Sequence, residues 1–311
     1  MPPVIAVVGP TAVGKSGLAL ALATAVGGEI VNADSRQVYR HMAIGTAKPG
    51  LSERGAISHH LYDIVDPDGE FSLALYHRMV GEAFAGIGAR GKIAFLVGGS
   101  GQYVWSVIEG WQVPVVTPQP ELRRLLEAEA GARGVESLHR ELERVDPDAA
   151  RKIDPRNVRR VVRAIEVHRV TGKRFSELAR KTPPQFHVLV IGLTADRAEL
   201  YRRIDLRVDG MVEQGLVAEV EGLVKRGYGL ELPAMSGLGY KQIGTFLKGK
   251  IDLPTAIQQV KNETHRFARQ QYAWFRLKDE RIRWLDIGGE VEKPALELVR
   301  DFLRAQQSVM A

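Results

Sequence analysis

Cysteine is absent from all 311 residues. That excludes a disulfide framework, a thiolate zinc site and a thiol nucleophile together. Long apolar runs are missing as well. The longest mostly apolar stretch without a charge, Gly17 to Gly28, is too short and too rich in Ala and Gly to span a bilayer. No basic stretch precedes the first apolar run, so a secretory leader is not expected and the chain reads as cytoplasmic. No Asn-Lys-x-Asp signature for reading guanine occurs, and there is no internal repeat or low-complexity tract. Apolar residues at 45% and charged residues at 26% match an ordinary globular chain, not a disordered tail, a collagen or a coiled coil.

The net charge of +6 is unevenly spread. Residues 1–113 hold 8 basic and 9 acidic side chains, whereas 114–190 hold 16 and 11. Within the latter, Arg151 to Lys181 carries 11 basic and 3 acidic residues. Such a block suits a polyanion partner such as nucleic acid; the plainer reading is a solvated helical face.

Strand and helix signals alternate at first. Val4–Val8 reads as a buried parallel strand, Lys15–Val26 as a helix and Glu29–Asn32 as a strand. Ser72–Ile87 reads as a helix and Lys92–Val97 as a strand that runs into Gly98-Gly99-Ser100-Gly101. Pro114, Pro118 and Pro120 break the alternation, and Glu121 to Arg180 carries only helical signals. His187–Leu193 returns as a strand, and helices dominate the rest. The expected fold is therefore α/β. A phosphate-loop type of parallel sheet core (1–114 and 186–311) would carry an inserted all-helical domain (115–185) and a helical C-terminal part.

Gly9-Pro10-Thr11-Ala12-Val13-Gly14-Lys15-Ser16 fits G-x-x-x-x-G-K-[ST], with a strand before it and a helix after it. The backbone N–H groups of such a loop and the helix N-terminus bind a diphosphate or triphosphate. Lys15 adds a charge and Ser16 can ligate Mg²⁺. The alternative is a Gly-rich turn with a surface lysine. The strand Ile93–Val97 ends without the acid that a phosphoryl-transfer enzyme of this class usually places there, so the loop could hold a diphosphate without using a nucleotide as donor. Asp34 follows the second strand and should face the same crevice, as should Ser100. It could act as general base or Mg²⁺ partner, or simply cap a helix.

Arg156, Arg159, Arg160 and Arg163 fall at i, i+3, i+4, i+7, opposite Val158, Val161, Val162 and Ile165 on one expected helix. The valine face reads as core and the arginine face as phosphate contacts. Glu199, Arg203 and Arg207 could form an exposed i, i+4 ladder. Lys261–Arg276 mixes basic residues with Phe267, Tyr272, Trp274 and Phe275, most of which at that spacing read as core. His59-His60 lacks a matching metal-ligand set and reads as structural or close to RNA.

Several further blocks occur in a fixed order. Asp34-Ser35-Arg36-Gln37-Val38-Tyr39 follows the phosphate loop, then Gly45-Thr46-Ala47-Lys48-Pro49 and His59-His60-Leu61-Tyr62-Asp63. Gly98-Gly99-Ser100-Gly101, Arg163-Ala164-Ile165-Glu166-Val167, Gly239-Tyr240-Lys241-Gln242 and the stretch Thr264–Arg276 complete the series. Together with the loop, these resemble the tRNA dimethylallyltransferase (isopentenyltransferase) family over nearly the whole chain.

The resemblance implies a prenyl transferase acting on adenosine-37 of certain tRNAs, with the anticodon stem-loop as partner. The loop, Gly9 to Ser16, would hold the diphosphate of dimethylallyl diphosphate rather than ATP, with Mg²⁺ on Ser16. Asp34 matches the family's general base. Ser100 matches a family threonine that contacts the same amine, and Arg207 matches an arginine near the diphosphate. Contacts to tRNA would come from Asp34, Ser35, Arg36, Gln37, Arg123, Arg159, Arg160, Arg163, Lys241, Gln242 and Arg269, on a chain that is expected to be a monomer. The runner-up is a small-molecule kinase using ATP, and a third possibility is an RNA-binding switch without chemistry.

Overall fold

The structure, a computed structural model, describes residues 3–310. Six strands form one parallel sheet: β1 Pro3–Val8, β2 Gly28–Asn32, β3 His59–His60, β4 Ile93–Val97, β5 His187–Thr194 and β6 Ile282–Asp286. Their order is β3-β2-β4-β1-β5-β6. β1 pairs with β4 (Val7 opposite Val97) and with β5 (Val8 opposite Gly192), so its carboxyl end opens at the centre of the sheet. Val4 to Val8 are all buried, as a strand covered on both faces requires.

The chain forms two compact units, Met1–Ile108 with Gln185–Ala311, and Glu109–Pro184. In the first, Leu18 and Leu22 of the helix Lys15–Val26 and Leu200, Ile204 and Val208 of the helix Arg197–Glu213 pack with Ile5, Val7, Phe95 and Ile191 of the sheet. A second cluster joins Val38 and Met42 to Leu216, Val220, Tyr240 and Ile243. Glu29 is a buried acid at the start of β2. Hydrogen bonds from Arg90, assisted by His60 and Lys92 against the cost of burial, hold its carboxyl at about 2. His60 thus has a structural partner.

Two strands differ from the sequence reading. β6 reads Ile-Arg-Trp-Leu-Asp and lies at the sheet edge, so it carries no continuous apolar run; β3 has only two residues. The helical unit begins at Glu109 instead of 115 and ends at Pro184. Its two ends are stitched together: Gln112 N donates to Arg180 O and Thr182 N to Gly110 O, at 2.7 and 2.8 Å. Among the described residues no helix is long and apolar enough to cross a membrane.

Within Glu109–Pro184, the helices Pro120–Arg133, Val135–Val145 and Val158–Thr171 bury Leu126, Leu138, Leu142, Val161, Val162 and Ile165 against each other. Asn157 caps the last of these helices. Arg156 therefore lies outside it and pairs with Asp154, which leaves the expected four-arginine face with three members. Glu166 is fully buried. It accepts from Arg123 Nε and Nη2 (both 2.8 Å), Gln119 N (2.7 Å) and Arg163 Nη1. Arg163 Nη2 also donates to Val116 O at 3.0 Å. Burial pushes the Glu166 carboxyl up, but these donors more than offset it and hold it at about 2.

Removing Glu166 takes the buried carboxylate acceptor from two guanidinium groups and one backbone N–H. Glu166→Ala should destabilise by about 2–4 kcal/mol in urea unfolding. Because its folded pKa lies below the ordinary glutamate value of 4.5, the stabilisation is complete above about 4.5 and fades as pH falls toward 2. The difference between wild type and variant should shrink over that window.

Candidate active site

The phosphate loop leaves the sheet at the carboxyl end of β1. Gly9 is obligatory there: its φ is +136°, and an added Cβ would stand 2.4 Å from Leu193 O. Val13 is buried and anchors the loop from below. Ala12 and Gly14 take left-handed backbone angles of 68° and 90°. That pattern turns successive N–H groups toward one concave face. The helix Lys15–Val26 follows with no acid in its first turn, so its positive end is uncompensated by its own side chains. Ser16 is exposed in that turn. Lys15 Nζ donates to Pro10 O at 2.7 Å, and Arg207 Nη1 donates to Thr11 Oγ1 at 3.3 Å.

Asp34 sits in a loop built by Asn32. Asn32 Oδ1 accepts from Asp34 N (2.9 Å), and its Nδ2 donates to Asp34 O and Leu61 O (both 3.0 Å). Asp34 Oδ1 accepts from Arg36 N at 2.9 Å. No helix begins here; the next one in the chain is Leu51–Ala56, so the capping alternative fails. Ser100 braces the same loop, because Ser35 N donates to Ser100 Oγ at 3.0 Å. Ser100 N in turn donates to Ala33 O at 3.2 Å.

One wall of the cleft is made by two blocks whose roles spacing alone left blank. Gln37 Nε2 donates to Thr46 O and Ala47 O. Lys48 Nζ reaches Asp63 Oδ1 at 2.6 Å, and Arg54 reaches Asp63 Oδ2 at 2.7 Å. Glu219 accepts from the N–H groups of Ala43, Ile44 and Gly45 at 2.9, 2.8 and 3.1 Å, and Tyr240 donates its hydroxyl to the same carboxylate. These ties place Ala47 and Tyr62 on the cleft.

The cleft holds about 580 Å³ and is lined by residues from Thr11 to Gly17 of the loop and its helix, Asp34, Gln37, Gly98 and Gly99, among others. Its charge is one-sided. Lys15, Arg202, Arg203 and Arg207 line it, and Asp34 is the only carboxylate on it among the described residues. Burial and the neighbouring Arg207 push the Lys15 ammonium down to about 7, with Asp34 pulling the other way. Burial likewise lowers Arg207, again against Asp34. The expected ladder holds only in part: Glu199 pairs with Arg203 at 2.7 Å, but Arg207 turns into the cleft. Phe267 and Gln271, from the helix Leu253–Trp274, complete the lining. Of the four aromatics here, most of which were expected in the core, Phe267 and Trp274 are exposed and Phe275 is buried.

The other expected tRNA-contacting residues fall into two groups. Arg159, Arg160 and Lys241 are exposed, with no side-chain hydrogen bond among the described residues, and so are free to meet phosphates. Arg36 donates to Pro233 O and Ser236 Oγ, and Gln242 is buried with its Oε1 accepting from Gly239 N. Arg269 donates to the Tyr201 hydroxyl. Arg123 and Arg163 converge on Glu166. These five have internal partners that charge counting did not reveal.

Two family patterns match: IPP transferase over residues 37–278 and isopentenyl transferase over 2–62. A tRNA dimethylallyltransferase of a Roseiflexus species is 48% identical over 98% of this chain and all of its own length. That of Thermomicrobium roseum is 50% identical over 92% of this chain and 86% of its own. Among solved structures, the tRNA isopentenylpyrophosphate transferase of Bacillus halodurans superposes with a TM-score of 0.72 at 37% identity, over 98% of this chain and 96% of that one. A eukaryotic dimethylallyltransferase acting on tRNA gives 0.83 at 28% identity, over 98% and 80%. With a glycine-built anion cradle, a cation-lined cleft and matches of this extent, the chain belongs to the IPP transferase family.

Proposed function

We propose that this chain transfers a dimethylallyl group from dimethylallyl diphosphate to N6 of adenosine-37, next to the anticodon of certain tRNAs. The observation that carries this reading is the cleft itself, in which the phosphate loop, Lys15 and Arg207 share one cavity with Asp34, while Arg202 and Arg203 line it paired with Glu199. The enzyme is taken to act as a monomer. With tRNA as substrate, the place of work is the cytoplasm.

The N6 lone pair is delocalised into the purine and is a weak nucleophile. The allylic C1 is a good electrophile once its diphosphate departs. Catalysis therefore amounts to stabilising the leaving group and aligning the two atoms. N6 attacks C1 while the C1–O bond breaks, and the electron pair leaves with the diphosphate. Loop N–H groups, Lys15 and Arg207 receive that charge. Asp34 takes the N6 proton on Oδ2, the oxygen not engaged by Arg36 N. Ser100 holds the loop that carries Asp34, and its hydroxyl is also the candidate contact to the amine. The residues suit Mg²⁺: the ion needs few protein ligands when phosphate oxygens supply the rest, and Ser16 with Asp34 nearby offers such a partial set. When bound, it would neutralise part of the leaving group's charge. The target base must leave the loop stack first, at a cost of about a few kcal/mol.

Incubation with dimethylallyl diphosphate, Mg²⁺ and unmodified tRNA should add one C5H8 unit to the tRNA by mass. Phosphate transfer from ATP to a metabolite, without that product, would favour the kinase instead. Asp34→Asn should leave tRNA affinity nearly intact and lower kcat by roughly 10²–10⁴-fold, which steady-state kinetics reads directly. A bound diphosphate stabilises the charged form of Lys15, whose free pKa is about 7. Binding should therefore take up a proton above pH 7, and affinity should fall as pH rises. Calorimetry of pyrophosphate binding in buffers of different ionisation enthalpy should show a larger proton uptake in wild type than in Lys15→Met, the difference isolating Lys15 from the ligand's own ionisation. Replacing Arg159 and Arg160 by Ala should reduce the slope of log Kd against log salt by about 1–2, since each phosphate contact contributes roughly 0.7–0.9.

A further inference from the structure

Resting on the transfer reaction above, we infer that Gln271 is a positioning residue that fixes the phosphate loop against the acceptor side of the cleft. Its side chain is only 3% exposed. Oε1 accepts from Thr11 N at 2.8 Å, and Nε2 donates to Gly99 O at 2.9 Å. One primary amide thus bridges two loops from different strands, that after β1 and that after β4. The amide orientation is dictated by the partners, since a backbone N–H only donates and a carbonyl only accepts. Among side chains of this length, only glutamine carries a donor and an acceptor on one terminal carbon at neutral pH.

The surroundings are shaped for this bridge. A Cβ on Gly99 would stand 2.2 Å from Gln271 Nε2, so glycine there leaves room for the amide. The end of the helix Leu253–Trp274 is seated firmly. Trp105 Nε1 donates to Trp274 O at 2.9 Å, and the Trp274 ring lies where a Cβ on Gly101 would be. Gln271 therefore projects from an anchored turn.

The bridge reaches reacting groups on both sides. Thr11 also accepts from Arg207, a proposed diphosphate contact. Gly99 precedes Ser100, which holds Ser35 and hence the Asp34 loop. Donor carbon and acceptor nitrogen must come within about 3–3.5 Å in line, and a misplacement of about 1 Å can cost on the order of 10²-fold. Gln271 sets that gap without touching either reacting atom. It also engages Thr11 N–H, which is therefore not free for a diphosphate.

The test compares Gln271→Met, which keeps length but loses both hydrogen bonds, with Gln271→Glu, which accepts but donates only when protonated. Steady-state kinetics with dimethylallyl diphosphate and an anticodon stem-loop are measured beside amide exchange of segments 9–16 and 98–101. The Met variant should lose kcat on the order of 10²-fold with KM for the stem-loop essentially unchanged, and both segments should exchange faster. For the Glu variant, kcat relative to wild type should rise as pH falls from about 7 to about 5, toward the ordinary carboxyl pKa of about 4.3, as the neutral carboxyl regains the donor. Unchanged kcat with unchanged exchange, a loss carried by KM alone, or a flat ratio across pH would each overturn the assignment. If the Met variant fails to fold, the pH ratio of the Glu variant decides. If wild type itself transfers no prenyl group, the functional reading falls; the bridge then stands with faster exchange in the Met variant and falls without it.

Discussion

The arrangement depends on concentrating positive charge where little else compensates it. Lys15 and Arg207 share a cleft with one carboxylate, and burial weakens the hold of each on its proton. On the proposed function, a bound dianion or trianion would supply the missing charge. The same low-dielectric surroundings that make the free site costly make the filled one strong. In the proposed reaction, such a site spends stability on complementarity to a departing diphosphate.

The sheet makes that concentration possible. Parallel strands point their carboxyl ends the same way, so the loops after β1, β2 and β4 converge although the strands lie far apart in sequence. β1 sits between β4 and β5, and the phosphate loop opens at its end. Around it, single polar side chains act as fasteners: Asn32 shapes the Asp34 loop, Glu219 collects three N–H groups of residues 43–45, and Lys48 with Arg54 secures Asp63. Each satisfies backbone or charged groups that an apolar residue would leave unpaired.

The helical unit shows the reverse use of charge. Glu166 gathers Arg123 and Arg163 at its core, so part of what looks like a basic surface in the sequence is internal wiring. Arg159 and Arg160, on the same helix as Arg163, keep exposed guanidinium groups. Two arginines one turn from a third thus do different physical work, and only the location of one buried acid separates them.

What the residues alone determined was local. The apolar run Val4–Val8, the glycine spacing of 9–16 and the periodicity of 158–165 are properties of neighbouring residues, and each produced the element expected. The ordered blocks from Asp34 to Arg276 carried the family, because their residue types recur at matching spacings. The tertiary structure decided the rest, because it depends on partners distant in the chain. The edge strand β6 needed β5 to pair with, and Arg207 left its expected ladder for Thr11, 196 positions away. Gln271 reached Thr11 and Gly99 across 260 and 172 positions, and Phe267 came to line the cleft. A period of 3.6 residues says which side chains share a face; what that face meets is settled only when the chain closes on itself.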